Sequence, residues 1–169
     1  VKIALDGEIL VKGENVMIGY WNQKEETNKV VKDGWLYTGD IGEFQNGYLK
    51  ITDRKKDIIV SAGGDNISPL KIENLLINQS EIEQCLVYGD RKNYLVALVV
   101  PNEEFLNKKD EIKNKIEEVN KLLTNIEKIK KIIIIKKKFS IENRMLTPTL
   151  KLKRYKIIEK YKDELENLY

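Results

Sequence analysis

The chain has no histidine among its 169 residues and only one cysteine, Cys85. The first absence removes Ser/His/Asp and Cys/His nucleophilic catalysis, along with the commonest zinc ligand sets. The second removes any intramolecular disulfide, and Cys85, set in the apolar stretch 82–87, is expected to be a buried structural thiol. No apolar run approaches the ~18 residues of a membrane-spanning helix, and no charged-then-apolar leader opens the sequence. A cytoplasmic location is the expectation that follows. Excess charge is lacking as well: 30 Lys and Arg face 27 Asp and Glu, leaving +3. That balance argues against a global nucleic-acid surface, although lysines crowd residues 128–138 and 151–156. There is no internal repeat, and no Walker-type glycine–lysine loop to cradle nucleotide phosphates.

The length allows a real core and one or two domains. Val1 is not Met, and the chain leads directly into a turn at Asp6-Gly7, so a fragment is expected. Residues 7–13 read as a short strand, and Gly47-Tyr48-Leu49-Lys50-Ile51-Thr52 alternates apolar and polar as a half-buried strand does. The polar stretch 21–32 between them suits a loop with a short helix. Residues 1–53 are therefore expected to be β-rich and without an independent core.

Asp57-Ile58-Ile59-Val60 predicts another strand, and Gly63-Gly64-Asp65-Asn66 a turn after it. Ser68 is placed to cap a helix whose first residue is Pro69, with Ile72, Leu75 and Leu76 as its apolar stripe. Residues 82–88 and 94–100 predict a hairpin. Asn102 is expected to cap a short helix through Leu106, and Ile112, Ile116, Val119 and Leu122 keep helical spacing. Thr124 and Glu127 have the spacing of a capping box, which predicts a further helix. The β-branched run 132–135 suits a buried strand, and Ile157, Ile158, Tyr161, Leu165 and Leu168 return to helical spacing. The expected fold class is α+β, with a β-rich piece over residues 1–53 and a small mixed sheet with helices over 54–169.

Four motifs stand out from this background. They are Gly34-Trp35-Leu36-Tyr37-Thr38-Gly39-Asp40, Thr52-Asp53-Arg54-Lys55-Lys56-Asp57, Ser61-Ala62-Gly63-Gly64-Asp65-Asn66-Ile67-Ser68-Pro69 and Leu146-Thr147-Pro148-Thr149-Leu150-Lys151-Leu152-Lys153-Arg154. An aspartate after Gly39, where Gly34 and Gly39 let the backbone turn sharply, can accept both hydrogen bonds of a ribose diol. Arg54 can add donors at the sugar oxygens. The plain alternative has Asp40 capping a turn and Arg54 paired with Asp53 or Asp57. Adjacent glycines permit close approach of backbone to a ligand, or simply make a tight turn.

In order and spacing these motifs resemble the signature of adenylate-forming enzymes, the superfamily of acyl-CoA synthetases, luciferases and peptide-synthetase adenylation domains. The resemblance implies that Tyr37, Thr38, Asp40 and Arg54 hold the nucleoside of ATP or AMP. It implies that Lys56 is the hinge about which a small lid domain rotates between half-reactions, and that Gly63 and Gly64 line the tunnel for CoA. The last motif corresponds to Lys151 as the catalytic lysine, with Lys153 as the alternative, because no glycine fixes the alignment. An ammonium there would offset the repulsion between a carboxylate and the α-phosphate of ATP. By the same resemblance, residues 1–53 are the end of the large AMP-binding domain and 54–169 the C-terminal lid.

The form of the last motif, with Phe139-Ser140-Ile141-Glu142-Asn143 before it, is that of long-chain fatty acid–CoA ligases. Such a ligase joins fatty acid, ATP and CoA through an acyl-adenylate. Mg2+ and the acyl chain would be held mainly by a large N-terminal domain, so this chain alone is expected to be inactive and to bind no metal. Peripheral membrane association of a whole enzyme is compatible with that reading. An acyl-AMP ligase that loads a carrier protein is the alternative acceptor reading. From a different class, the lysine-rich stretch suggests a nucleic-acid module, but no aromatic residues interleave there as a stacking platform requires. Nucleic acid is accordingly not an expected partner.

Overall fold

The structure, a computed structural model, describes residues 1–169. It divides into two compact units, Val1–Ile58 and Ile59–Tyr169. In the first unit β1 (Lys2–Ile3), β2 (Glu8–Val11), α1 (Lys24–Val30), β3 (Val31–Lys32), β4 (Trp35–Gln45) and β5 (Tyr48–Arg54) follow in order. β4 is the spine, since β2, β3 and β5 all pair with it antiparallel, and β1 pairs with β2.

The sharp turn expected around Gly39 is instead the interior of an 11-residue strand. The turn tendency survives as a local irregularity: Gly39 has φ 72°, and the register slips between Glu8 and Leu10 and between Ile41 and Gly42. β5 forms where its alternation predicts, yet it is not half-buried, with Tyr48 81% and Ile51 59% exposed. Only Ile9 and Leu10 supply buried apolar side chains to this unit. The sequence reading set the domain step after residue 53. In the structure β5 runs on to Arg54, whose carbonyl then accepts the N–H groups of Asp57 and Ile58 at 2.9 and 3.1 Å. That closing turn leaves only two residues of the expected 57–60 strand.

The second unit opens with the hairpin β6 (Ile59–Val60) and β7 (Asn66–Ile67), then α2 (Pro69–Ile77). Ser68 caps α2 as expected, its hydroxyl accepting the Lys71 N–H at 3.2 Å with Pro69 at the first position. β8 (Ile82–Tyr88), β9 (Leu95–Pro101), α3 (Lys109–Asn120), β10 (Ile129–Ile134), α4 (Arg154–Lys160) and α5 (Lys162–Glu166) complete it. The sheet order is β10-β9-β8, with β8 antiparallel to β9 and β10 parallel to it across the α3 crossover.

Every residue of β9 is buried. Leu95, Ala97 and Val99 join Ile72, Leu76 and Ile112 on one face, while Val96, Leu98 and Val100 join Phe139, Met145 and Ile157 on the other. Burial on both faces is why β9 reads as a continuous apolar run rather than an alternating one. Cys85 lies in the first of these cores at 2% exposure, and burial pushes its thiol well above the usual value.

Several local expectations give way. Asn102 precedes a 3-10 turn at Glu103–Phe105, but its side chain donates to the Ser80 carbonyl at 2.5 Å instead of capping. Leu122 is 71% exposed, because α3 ends at Asn120 and Leu123 fills the core instead. The Thr124 and Glu127 pair closes a turn, not a helix: the Thr124 N–H and hydroxyl both donate to Glu127 Oε2, at 3.1 and 2.8 Å. Lys71 meets the other Glu127 oxygen at 2.7 Å, so the carboxylate is committed to a tertiary contact. The expected terminal helix is two short ones divided at Tyr161. No helix is long and apolar enough to cross a membrane.

Candidate functional site

In the first unit the predicted nucleoside residues come together across β4 and β5. Asp40 and Arg54 are register partners. The Arg54 Nε meets Asp40 Oδ1 at 2.9 Å and its Nη2 donates to the Thr38 carbonyl at 3.2 Å. The Arg54 guanidinium is thus engaged by Asp40 and Thr38, while its backbone N–H donates to Asp53 Oδ1 at 2.6 Å. Thr38 is locked in turn, its hydroxyl donating to the Ile9 carbonyl at 2.8 Å and accepting the Asp40 N–H at 3.1 Å. Tyr37 is half-buried with the Lys32 ammonium 5.1 Å from its ring centroid. A carboxylate acceptor beside a guanidinium donor is the pair of groups that a vicinal diol can satisfy.

Sequence reasoning missed what lies beneath this pair. The Gly39 N–H donates to Glu8 Oε1 at 2.9 Å, and Lys55 reaches Glu8 Oε2 at 2.9 Å and Asp6 at 2.7 Å. Glu8 is only 4% exposed. The hydrogen bond to Lys55 draws the Asp6 carboxyl below its usual range, and the bonds to Asp6 and Glu8 raise Lys55. A buried glutamate in a short strand beside two turn residues leaves no periodic mark in the sequence.

Lys56 lies exposed in the turn that closes the first unit. In the second unit Gly63 and Gly64 sit in the turn of the β6–β7 hairpin, tied by Ser61. The Ser61 hydroxyl accepts the Gly63 and Asp65 N–H groups, each at 3.1 Å, and donates to Asp65 Oδ2 at 3.0 Å. Gly64 has φ 87° with nothing within 4 Å of the place a Cβ would take, so it is backbone conformation that selects glycine there. A groove of about 210 Å3 lies alongside, lined by Gly63, Asp65, Lys92, Tyr94 and Ile126.

Lys151 lies on a tight hairpin closed by a bridge between Leu146 and Leu152. Its N–H donates to the Thr147 hydroxyl at 3.0 Å and its carbonyl accepts the Thr147 N–H at 2.8 Å, which fixes the backbone. The side chain is exposed and its ammonium has no protein partner. Lys153 is half-buried, its carbonyl accepting the N–H groups of Lys156 and Ile157 in the first turn of α4 at 2.9 and 3.2 Å. Three residues past Lys151, Arg154 grips both oxygens of Glu73 at 2.7 and 2.9 Å and the Val87 carbonyl at 2.7 Å. Glu73 Oε1 also accepts the Val87 N–H at 2.7 Å. This pair anchors the hairpin to α2 and β8. Its signal is visible in hindsight, since Glu73 falls among Pro69, Ile72 and Leu76 on the buried stripe of α2. No group of three or more Cys, Asp or Glu is placed to hold a metal ion.

Comparison with known proteins gives the family of the chain. The AMP-binding enzyme C-terminal domain family matches residues 56–169. The long-chain-fatty-acid–CoA ligase FadD15 of Mycobacterium tuberculosis is 44% identical over 105 residues, 62% of this chain and 18% of that protein. The long-chain-fatty-acid–CoA ligase of Bacillus subtilis is 51% identical over 89 residues, 52% of this chain and 16% of the other. The chain thus spans less than a fifth of the length of these curated relatives. Among solved structures, the A-PCP didomain of carboxylic acid reductase from Segniliparus rugosus in complex with AMP superposes with a TM-score of 0.89 at 28% identity, covering 96% of this chain and 24% of that one. With the match extending from the turn at Lys56 through the Lys151 hairpin to Tyr169, the chain belongs to the AMP-binding enzyme C-terminal domain family.

Proposed function

We propose that this chain is the closing portion of a long-chain fatty acid–CoA ligase, which activates a fatty acid with ATP and transfers the acyl group to CoA. The observation that carries the reading is the contrast between Lys151 and Arg154: the arginine is locked in a buried pair, while the lysine on the same hairpin has a fixed backbone and a free ammonium. A cation presented on a rigid support can stabilise charge at the α-phosphorus without first breaking an ion pair. Asp40 and Arg54 would hold the ribose through both half-reactions. Rotation about Lys56 would then exchange the Lys151 hairpin for the Gly63–Gly64 turn, beside which the CoA thiol would pass. Mg2+ would be held mainly by a large N-terminal domain, since these residues bring together no group of three or more Cys, Asp or Glu. The long-chain acyl substrate and the CoA acceptor are inferred from the relatives.

The test is to assay the half-reactions separately in the ligase that carries this chain. Lys151→Ala should slow acyl-adenylate formation by about 100-fold or more and spare CoA acylation from supplied acyl-adenylate. Lys153→Ala should leave both near normal. A selective defect in Lys153→Ala instead would move the catalytic role to that residue, and equal damage to both steps would remove it from the hairpin.

A further inference from the structure

The turn between β8 and β9 does more than reverse the chain. Three hydrogen bonds join it to the glycine loop: the Ala62 N–H donates to the Lys92 carbonyl at 3.0 Å, the Arg91 N–H to the Val60 carbonyl at 2.7 Å, and the Val60 N–H to Asp90 Oδ1 at 3.1 Å. A second segment, α5 and the residues after it, fastens the turn itself. The Tyr169 hydroxyl lies 3.3 Å from the Tyr88 carbonyl and 3.2 Å from that of Tyr94, so one group spans both flanks of the turn. Glu166 accepts the Tyr88 hydroxyl on one oxygen at 2.8 Å and meets the Lys92 ammonium on the other at 2.5 Å. That ammonium also stands 4.7 Å from the centroid of the Tyr169 ring, which in turn packs on Tyr94 at 4.9 Å. The bond to Lys92 draws the Glu166 carboxyl below its usual range, while burial, together with the bond to Glu166, lifts Tyr88 to about 12.

We propose that Glu166 and Tyr169 are positioning residues for the Gly63–Gly64 loop, acting through the β8–β9 turn that carries Lys92. Their side chains fix the turn whose carbonyl and amide groups hold the loop. The consequence for catalysis rests on the reading that this loop guides CoA. It makes the α5 segment a control on thioester formation alone, because the Lys151 hairpin has its own anchor in Glu73 and Arg154.

Amide hydrogen exchange in the 169-residue chain tests the structural part. Lys92→Met and Glu166→Gln each remove the ion pair but leave the backbone acceptor in place. Either should speed exchange at Ala62 and Arg91 roughly three- to tenfold and leave Ile116 in α3 unchanged, while Lys92→Arg, which keeps the cation, should speed it less than Lys92→Met. Unaltered exchange at Ala62 and Arg91, or an equal rise across the whole unit, overturns the proposal. In the ligase, Glu166→Gln, a change outside the groove beside the loop, should raise KM for CoA several-fold with acyl-adenylate formation unchanged. If exchange responds as expected but KM for CoA does not, the positioning role stands and it is the CoA reading of the loop that fails.

Discussion

Arg154 and Lys151 show how differently two cations three residues apart can be used. Arg154 is 15% exposed and makes a forked pair with a carboxylate that is 6% exposed, while also satisfying a backbone carbonyl. Removing one partner strands a charge in the interior, which typically costs about 3–5 kcal/mol. Arg154→Met is therefore expected to lower the unfolding free energy by about 3 kcal/mol in urea titrations, with part of the loss recovered by Glu73→Met in the same chain. Lys151→Met should have almost no effect on the same titration, since its ammonium is free. Legibility followed the same division. Asp40, Arg54 and Lys151 could be named as candidates because motif order marks them. Glu8, Asp6, Lys55 and Glu73 could not, because an ion pair is defined by partners far apart in sequence: Glu73 and Arg154 lie 81 residues from each other.

At the scale of elements, local chemistry predicted well where nothing tertiary competed. Ser68 and Pro69 start α2 as the sequence says, and Ser68→Ala should cost about 1 kcal/mol, measured by thermal or urea unfolding. The corresponding pattern at Thr124 failed because Lys71 and Thr124 together engage the Glu127 carboxylate, and the result is a turn. β4 was misread for a related reason. Its glycines signal a bend, but pairing with strands on both sides extends the segment and confines the bend to Gly39 and the neighbouring register slips. The alternation in β5 correctly predicted a strand and wrongly predicted burial, since period two reports pleat and not what covers it. β8 and β9 were legible because continuous apolar runs of strand length flank a short polar turn.

Taken whole, the molecule concentrates its apolar burial in residues 59–169, where one small sheet is covered on both faces, while the first unit buries little beyond Ile9 and Leu10. The α+β class could be read from the mixture of periods, but the three-layer arrangement could not, because it depends on which strand lies in the middle. The placement of β10 at the end of the order β10-β9-β8 has a consequence for colloidal behaviour. Its sequence, Ile-Lys-Lys-Ile-Ile-Ile, is strongly β-prone, and one side of it has no neighbouring strand to bond its peptide groups. Such a margin is a template for recruiting another chain unless charge guards it. Lys130 and Lys131 are exposed there, and three more lysines follow at 136–138. Replacing Lys130 by Val should leave the fold intact and make the chain self-associate, read as a rise in light scattering on concentration or mild warming. The lysine-rich stretch that first suggests a nucleic-acid surface would then be, in its central part, a gatekeeper against strand addition.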